Sequence, residues 1–295
     1  MAIKKAIIPI AGLGTRFLPL SKALPKELFP LVDKPAIQYI VEEAQASGIK
    51  EIIFVNRPDK KEVKTYFIKY IKKTPELEEL LRMRKKNGLL KELKSLEKIT
   101  KNISFSYIFQ KEPLGDGHAV LQAQKIAKKE PCIVLFGDDI VKSKTPCSLQ
   151  LAKVFNKHQK PVIALHRLPK EKLSSYGIVK VEKVGPRLYK IKSIEEKPSI
   201  NKAPSNLAIV GKYVIDSQVF DFLKNTPSQA KGEMKLAGAF NEMIKKGLTI
   251  YGYEFEGRWL ECGNKLAYLK SNLYLSLKHP QFKKDLKKFL REEKL

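Results

Sequence analysis

Four short runs dominated by β-branched and aromatic residues, Ala6–Ile10, Glu51–Val55, Ile103–Phe109 and Cys132–Phe136, constrain the fold more than any other feature of the chain. Each is short for a helix and reads as a strand; Ala6–Ile10 and Cys132–Phe136 are apolar throughout, as strands of a buried parallel sheet are. Between them Ile37–Gln45, Lys60–Lys72, Glu76–Ser95 and His118–Lys128 carry helical spacing, with a stop at Gly48 and breaks near Thr74-Pro75 and Asn87-Gly88. The charged stretch from Lys60 to Ser95 reads as a solvated excursion between strands, with a partner-binding helix pair as the alternative. Repeated strand–loop–helix units imply an α/β, Rossmann-like, doubly wound sheet, which binds ligands at the carboxyl ends of its strands.

Past Lys160 the rhythm changes. Val162–Arg167, Ile178–Lys183, Leu188–Ile194 and Leu207–Ile215 are closely spaced strands with Gly and Pro turns between them, predicting an antiparallel or mixed extension of the same sheet. Helices are expected at Ser217–Lys224 and Leu236–Lys246, a strand at Leu248–Phe255, and helices at Lys265–Leu277 and Gln281–Arg291. No linker or repeat divides the 295 residues, so we expect one domain, 1–295, with residues 264–295 as a C-terminal helical appendage.

The excess of 57 Lys and Arg over 31 Asp and Glu raises nucleic-acid or anionic-membrane binding. Arginine stands only at positions 16, 57, 82, 84, 167, 187, 258 and 291, however, and the lysines are scattered rather than clustered with aromatics. The charge therefore reads as general solvation, with no nucleic acid and no membrane among the expected partners. Cys132, Cys147 and Cys262 are too few and too dispersed for a disulfide framework or a zinc site, and the four histidines lack ligand spacing. No run approaches the ~20 apolar residues of a membrane span, and the first residues do not form a signal peptide, so the expectation is a soluble, cytoplasmic protein.

The stretch Ile7–Pro35 holds the strongest chemical signal. Gly12 and Gly14 follow the first strand, then Thr15, Arg16, Lys22 and Lys26, with no acid until Glu27. Bare backbone amides beside cations suit a polyphosphate, because the amides form a concave donor nest and Arg adds a planar fork. Gly-x-Gly alone is equally ordinary turn composition. Phe17 stands where a dinucleotide fingerprint needs a third glycine, and the Gly-Lys-Ser/Thr of a Walker loop is absent. The longer pattern, Gly-x-Gly-Thr-Arg followed by Pro25-Lys26-Glu27, resembles the signature of the sugar-1-phosphate nucleotidylyltransferases. The continuation LVDKPAIQYIVEEAQASGIKEI resembles the bacterial UTP:glucose-1-phosphate uridylyltransferases in particular, and the likeness runs from about Ile3 to Tyr274.

Four further constellations fall where such a fold places a site. FQKEPLGDGHAV, 109–120, puts Gln110 just past a strand and Gly115 before a helix; Gln offers a donor and an acceptor suited to a uracil edge, and glycine lets a base lie flat on the backbone, although Pro and Gly here are also turn chemistry. LFGDDI, 135–140, ends a buried strand on Asp138 and Asp139, where a carboxylate facing a polyphosphate can hold Mg²⁺, or where Gly-Asp-Asp is simply a turn. SIEEKP, 193–198, sets Glu196 beside Lys197, an acid for sugar hydroxyls next to a cation for a sugar phosphate, though Glu-Lys pairs are common at strand ends. WLECGNKLAY, 259–268, carries Glu261.

The resemblance assigns roles to these positions. It implies Ala11, Gly12, Gly14, Thr15, Gln110 and Gly115 at the nucleotide, Arg16 and Lys26 on the triphosphate, Lys197 on the sugar phosphate, and Gly177, Glu196 and Val210 around the sugar. Asp138 and Glu261 would bind Mg²⁺, with Asp139 the less secure of the acidic pair. Two departures stand out: Glu261 occupies a position where aspartate is usual, and Ala237-Gly238 replaces the Thr-Asp that could cap the next helix, a change worth about 0.5–2 kcal/mol. The implied activity converts UTP and glucose 1-phosphate to UDP-glucose and pyrophosphate, in a homo-oligomer, dimer or tetramer, serving polysaccharide biosynthesis. A glucose-1-phosphate thymidylyltransferase of the same fold and a catalytically silent regulatory paralogue are the alternatives, and a basic RNA-binding protein is a more distant one.

Overall fold

A computed structural model describes residues 2–70, 74–225 and 232–294. A nine-stranded mixed sheet runs through it. The strands are β1 (Lys5–Pro9), β4 (Glu51–Asn56), β5 (Ser104–Phe109), β6 (Cys132–Leu135), β8 (Val162–Arg167), β9 (Gly177–Gly185), β10 (Leu188–Glu196), β11 (Leu207–Ile215) and β12 (Tyr251–Glu254), in the order β5-β4-β1-β6-β11-β8-β12-β10-β9. Two small ladders complete the set: β2 (Pro30–Leu31) with β3 (Lys34–Pro35), and β7 (Asp139–Lys142) with β13 (Arg258–Glu261).

β4, β1, β5 and β6 are parallel, as strands joined by helical crossovers must be; β5, at the sheet edge, is only half-buried. β11 is antiparallel to β6, and β10 and β9 continue the sheet as antiparallel strands. β1 has β4 on one side and β6 on the other, so the crevice beyond the ends of β1 and β6 is a topological switch point. Alternate residues serve two cores. Ala6, Ile8, Ile52, Phe54, Ile133 and Leu135 face the helices Ala36–Ala46 and Cys147–His158, while Ile7, Ile53, Cys132 and Val134 face Asp116–Gln122, Ser217–Asn225 and Leu236–Lys245.

The predicted strands agree with the structure to within a few residues. The excursion is helical at Glu62–Thr65, passes into a π turn at Tyr66–Tyr70, and resumes as Pro75–Met83 and Asn87–Ile99; residues 71 and 72 of the expected helix lie outside the described residues. It is anchored rather than merely solvated, because Phe67 stacks on Phe54 and Phe105. The helix Cys147–His158 and both small ladders, β2–β3 and β7–β13, were not expected. Of the expected terminal helices, Lys265–Ser276 packs its Ser271 and Leu275 inward, and Lys283–Glu292 is solvent-facing. Among the described residues no helix is long and apolar enough to cross a membrane.

Candidate active site

Chain leaving β1 turns through Gly12 to Gly14, and Gly14 takes a left-handed φ of 66°, the conformation glycine adopts at little cost. Ala11, Gly12, Gly14, Thr15 and Lys26 then form one wall of a 350 Å³ cavity whose other walls are Gln110, Gly115 and Asp138. All eight expected nucleotide and phosphate residues except Arg16 thus meet in one place. At Gly12 an added Cβ would meet nothing within 4 Å, so the protein itself does not require glycine there.

The base loop behaves differently. Gln110 is 4% exposed and its amide nitrogen lies 3.0 Å from the Gly115 carbonyl and 2.9 Å from His118 Nδ1. Its donor half is therefore spent on holding the loop. A Cβ at Gly115 would stand 2.4 Å from the Met234 carbonyl oxygen, and Gly115 has φ 101°. Close approach of another backbone segment, rather than of a flat base, is what demands glycine on that face. The lost cap at Ala237-Gly238 is also corrected: the helix begins at Leu236, and the Leu236 amide donates to Asp116 Oδ1 at 2.9 Å, so the missing side-chain cap is replaced from the base loop.

Lys26 and Asp138 form an ion pair at 2.5 Å. Burial opposes both charges, yet the pairing prevails: Lys26 is held above and Asp138 below its ordinary pKa, with Arg16 adding to the pull on Asp138. Burial raises Glu27 despite Lys26 and Lys60 nearby, and its Oε2 is buried without a hydrogen bond. Arg16 lies outside the cavity wall and reaches across to donate to the Gly263 carbonyl at 3.3 Å.

Asp138 and Glu261 come together through the β7–β13 ladder, in which Asp139 pairs with Glu261 and the Cys262 amide donates to the Asp138 carbonyl at 2.7 Å. A Cβ placed on Gly263 would lie 3.2 Å from Asp138 Oδ2, 3.5 Å from Glu261 Oε1 and 3.6 Å from Arg16 Nη1. Two carboxylates near the cavity are a donor set that suits Mg²⁺, which keeps several waters and takes one or two protein carboxylates. Glu261 also accepts from the Tyr176 hydroxyl at 2.5 Å and from Asn264 at 3.3 Å. Burial first, and then Glu261, raise the Tyr176 phenol.

Asp139 has a different task. Its Oδ1 accepts from Trp259 Nε1 at 2.7 Å and its Oδ2 from the Gly211 amide at 3.1 Å, so it ties β7 to both β13 and β11. Burial and the adjacent Asp138 raise its pKa.

The expected sugar-side residues sit at the ends of β9 and β10, where Gly177 is the strand partner of Glu196. A Cβ at Gly177 would come within 3.3 Å of Glu196 Oε2. Lys197 is exposed, holds a left-handed φ of 48° and donates its amide to the Tyr176 carbonyl at 3.1 Å. Val210 is fully buried in the core, so only its backbone can face a ligand. Four residues near the site had not been assigned roles: Asp116, Lys60, whose ammonium lies 2.6 Å from the Gly12 carbonyl, Trp259, and Lys235, whose ammonium lies 3.2 Å from Glu196. Only the contact of distant segments discloses them, apart from Lys60, which follows β4 at a carboxyl end where the fold itself directs attention.

Comparisons with known proteins identify the family. The family model described as nucleotidyl transferase matches residues 5–276. A UTP–glucose-1-phosphate uridylyltransferase of Staphylococcus haemolyticus is 41% identical over 98% of each chain. The UTP-bound UDP-glucose pyrophosphorylase of Acinetobacter baumannii superposes with a TM-score of 0.87 at 36% identity, covering 98% of this chain and 99% of that one. A UDP-glucose pyrophosphorylase complexed with UDP-glucose gives 0.83 at 33% identity over 94% and 100%. The chain belongs to the nucleotidyl transferase family, and within it to the family of the UTP–glucose-1-phosphate uridylyltransferases.

Proposed function

We propose that this chain transfers the uridylyl group of UTP to glucose 1-phosphate, releasing pyrophosphate and UDP-glucose. The observation that carries the reading is the cavity in which the glycine turn, Lys26, Asp138 and the Gln110 loop meet, in a chain with uridylyltransferase relatives over almost its whole length. The triphosphate lies along the amides of Gly12 to Thr15, with Lys26 and Arg16 neutralising it. Lys26 suits this role because Asp138 keeps it charged despite burial. Uracil lies in the cavity against the wall that Gln110 and Gly115 share, where the Gln110 carbonyl oxygen accepts from the base's N3–H.

The sugar enters from the side of Gly177 and Glu196, with Lys197 meeting its phosphate. A phosphate oxygen of the sugar attacks the α-phosphorus in line and pyrophosphate leaves from the opposite face, so the protein's contribution is positioning and charge neutralisation. Asp138 and Glu261 would hold Mg²⁺, which supplies further neutralisation of phosphate charge when bound. Lys197 contributes both positioning and charge, so Lys197→Ala should lose most turnover while the fold is kept. The test is pyrophosphate release from UTP with glucose 1-phosphate, compared with dTTP and with other hexose 1-phosphates. Faster release from dTTP, or parental kcat and KM in Lys197→Ala, would overturn the corresponding part of the reading.

A further inference from the structure

Segment Glu233–Leu236 is clasped against the base loop by three hydrogen bonds. Met234 N donates to the Leu114 carbonyl at 2.7 Å, Gly117 N donates to the Met234 carbonyl at 2.9 Å, and Leu236 N donates to Asp116 Oδ1 at 2.9 Å. The fit leaves no room for side chains, since a Cβ on Gly115 would stand 2.4 Å from Met234 O and one on Gly117 would stand 2.9 Å from the Lys235 carbonyl carbon. This segment accounts for the glycine at 115 and, together with Leu223 Cδ2 at 2.8 Å, for the one at 117.

The same segment continues to the sugar side by two routes. Lys235 pairs with Glu196 at 3.2 Å. The helix that starts at Leu236 carries Asn241, which accepts from Ile194 N and donates to Ile194 O, each at 2.8 Å, two residues before Glu196 in the same strand. Loop, segment and β10 are therefore linked by a contiguous set of backbone and side-chain hydrogen bonds and one ion pair, from the cavity at Gly115 to the acid expected at the sugar.

We propose that Glu233–Leu236 is a positioning bridge that transmits filling of the base cavity to the sugar side, with Asp116 as its anchor and Lys235 as the residue that sets Glu196. This rests on the uridylyltransferase reading, because that reading places the two substrates at the two ends of the bridge. Asp116 acts through Leu236 and Lys235 acts through Glu196; both are positioning residues.

Two measurements test it. Amide hydrogen exchange is followed in the parent and in Asp116→Ala, with and without UTP and with no sugar phosphate present. UTP should protect both 113–117 and 234–236 in the parent, but 113–117 alone in Asp116→Ala. Asp116→Asn, which keeps an acceptor oxygen, should restore protection of 234–236. In steady-state assays Lys235→Met should raise KM for glucose 1-phosphate by roughly two- to thirtyfold, the range of coupling carried by such contacts, with KM for UTP unmoved. Asp116→Ala should raise KM for glucose 1-phosphate in the parent background and have a smaller effect on it in the Lys235→Met background, where only the Asn241 route remains. Protection of 234–236 that is indifferent to Asp116→Ala, or an Asp116→Ala effect that persists undiminished beside Lys235→Met, overturns the bridge. If Asp116→Ala does not fold, an unchanged KM for glucose 1-phosphate in Lys235→Met overturns it alone. UTP that protects no segment of the parent removes the uridylyltransferase reading itself, a result distinct from protection confined to 113–117, which removes only the bridge.

Discussion

Gly12→Ala separates what the fold requires from what the substrate requires. The added methyl would meet no protein atom within 4 Å, and Gly12, unlike Gly14, does not adopt a left-handed φ. Replacing such a loop glycine reduces unfolded-state entropy, so stability should be unchanged or rise by about 0.4–1 kcal/mol. The methyl would nevertheless project from a residue that lines the 350 Å³ cavity. If a triphosphate lies against that backbone, the methyl forces it outward, and overpacking of this kind costs about 1–3 kcal/mol. Since each 1.4 kcal/mol is about tenfold in affinity, KM for UTP should rise by roughly 5- to 150-fold. The assay pairs a denaturant melt with UTP titrations at saturating glucose 1-phosphate. A parental KM for UTP would show that no phosphate touches Gly12, and a loss of stability above about 2 kcal/mol would contradict the assignment of this glycine to ligand rather than fold.

Gly211→Ala should do the reverse, because its methyl would lie 2.3 Å from Asp139 Oδ2 and 2.7 Å from Phe136; a stability loss of about 1–3 kcal/mol and reduced turnover are expected by denaturant melt and initial rates, since Asp139 aligns the ladder that carries Glu261. Lys212 is fully buried 2.8 Å from Glu43, which also accepts from Ser148, so Lys212→Met strands a buried carboxylate and should cost about 3–5 kcal/mol in a urea melt. Burial pushes Asp116 from an ordinary 3.8 up to about 6, so the folded state binds the proton more tightly, and the associated stability is full below pH 3.8 and lost as pH rises through 6. At about 1.36 kcal/mol per unit the parent should lose on the order of 3 kcal/mol from this group between those limits, and Asp116→Asn should flatten that part of the stability–pH curve. Asp138→Asn should lose turnover at every Mg²⁺ concentration, whereas Glu261→Gln, with a longer and more adaptable side chain, should recover partly in excess metal; a Mg²⁺ titration of kcat for both variants checks this.

What could be read in the chain beforehand follows the range of the interactions. Ile7 and Ile8 point to opposite cores because of strand geometry alone, and Gly14 bends because of its own φ, so the sheet and the glycine turn were visible in local pattern. The helix Cys147–His158 was missed although Leu151 and Phe155 mark its buried face, because Lys153 and Lys157 interrupt the run and Pro146 precedes it without a side-chain cap. Asp139 reaches Trp259 and Asp116 reaches Leu236 across 120 residues each, a separation no periodicity reports. The same limit explains Gly115. Its glycine was legible, but its cause, the Met234 carbonyl, was not, and nothing local showed that the sheet buries the side chain of Val210.

The central claim concerns which phosphorus is attacked and by which oxygen. Glucose 1-phosphate labelled with ¹⁸O at its non-bridging phosphate oxygens, turned over with UTP and followed by ³¹P NMR and mass spectrometry, reports both. Attack by the sugar phosphate on the α-phosphorus predicts UDP-glucose that keeps every label, beside unlabelled pyrophosphate. Label in the pyrophosphate, or UDP formed in place of UDP-glucose, would contradict it.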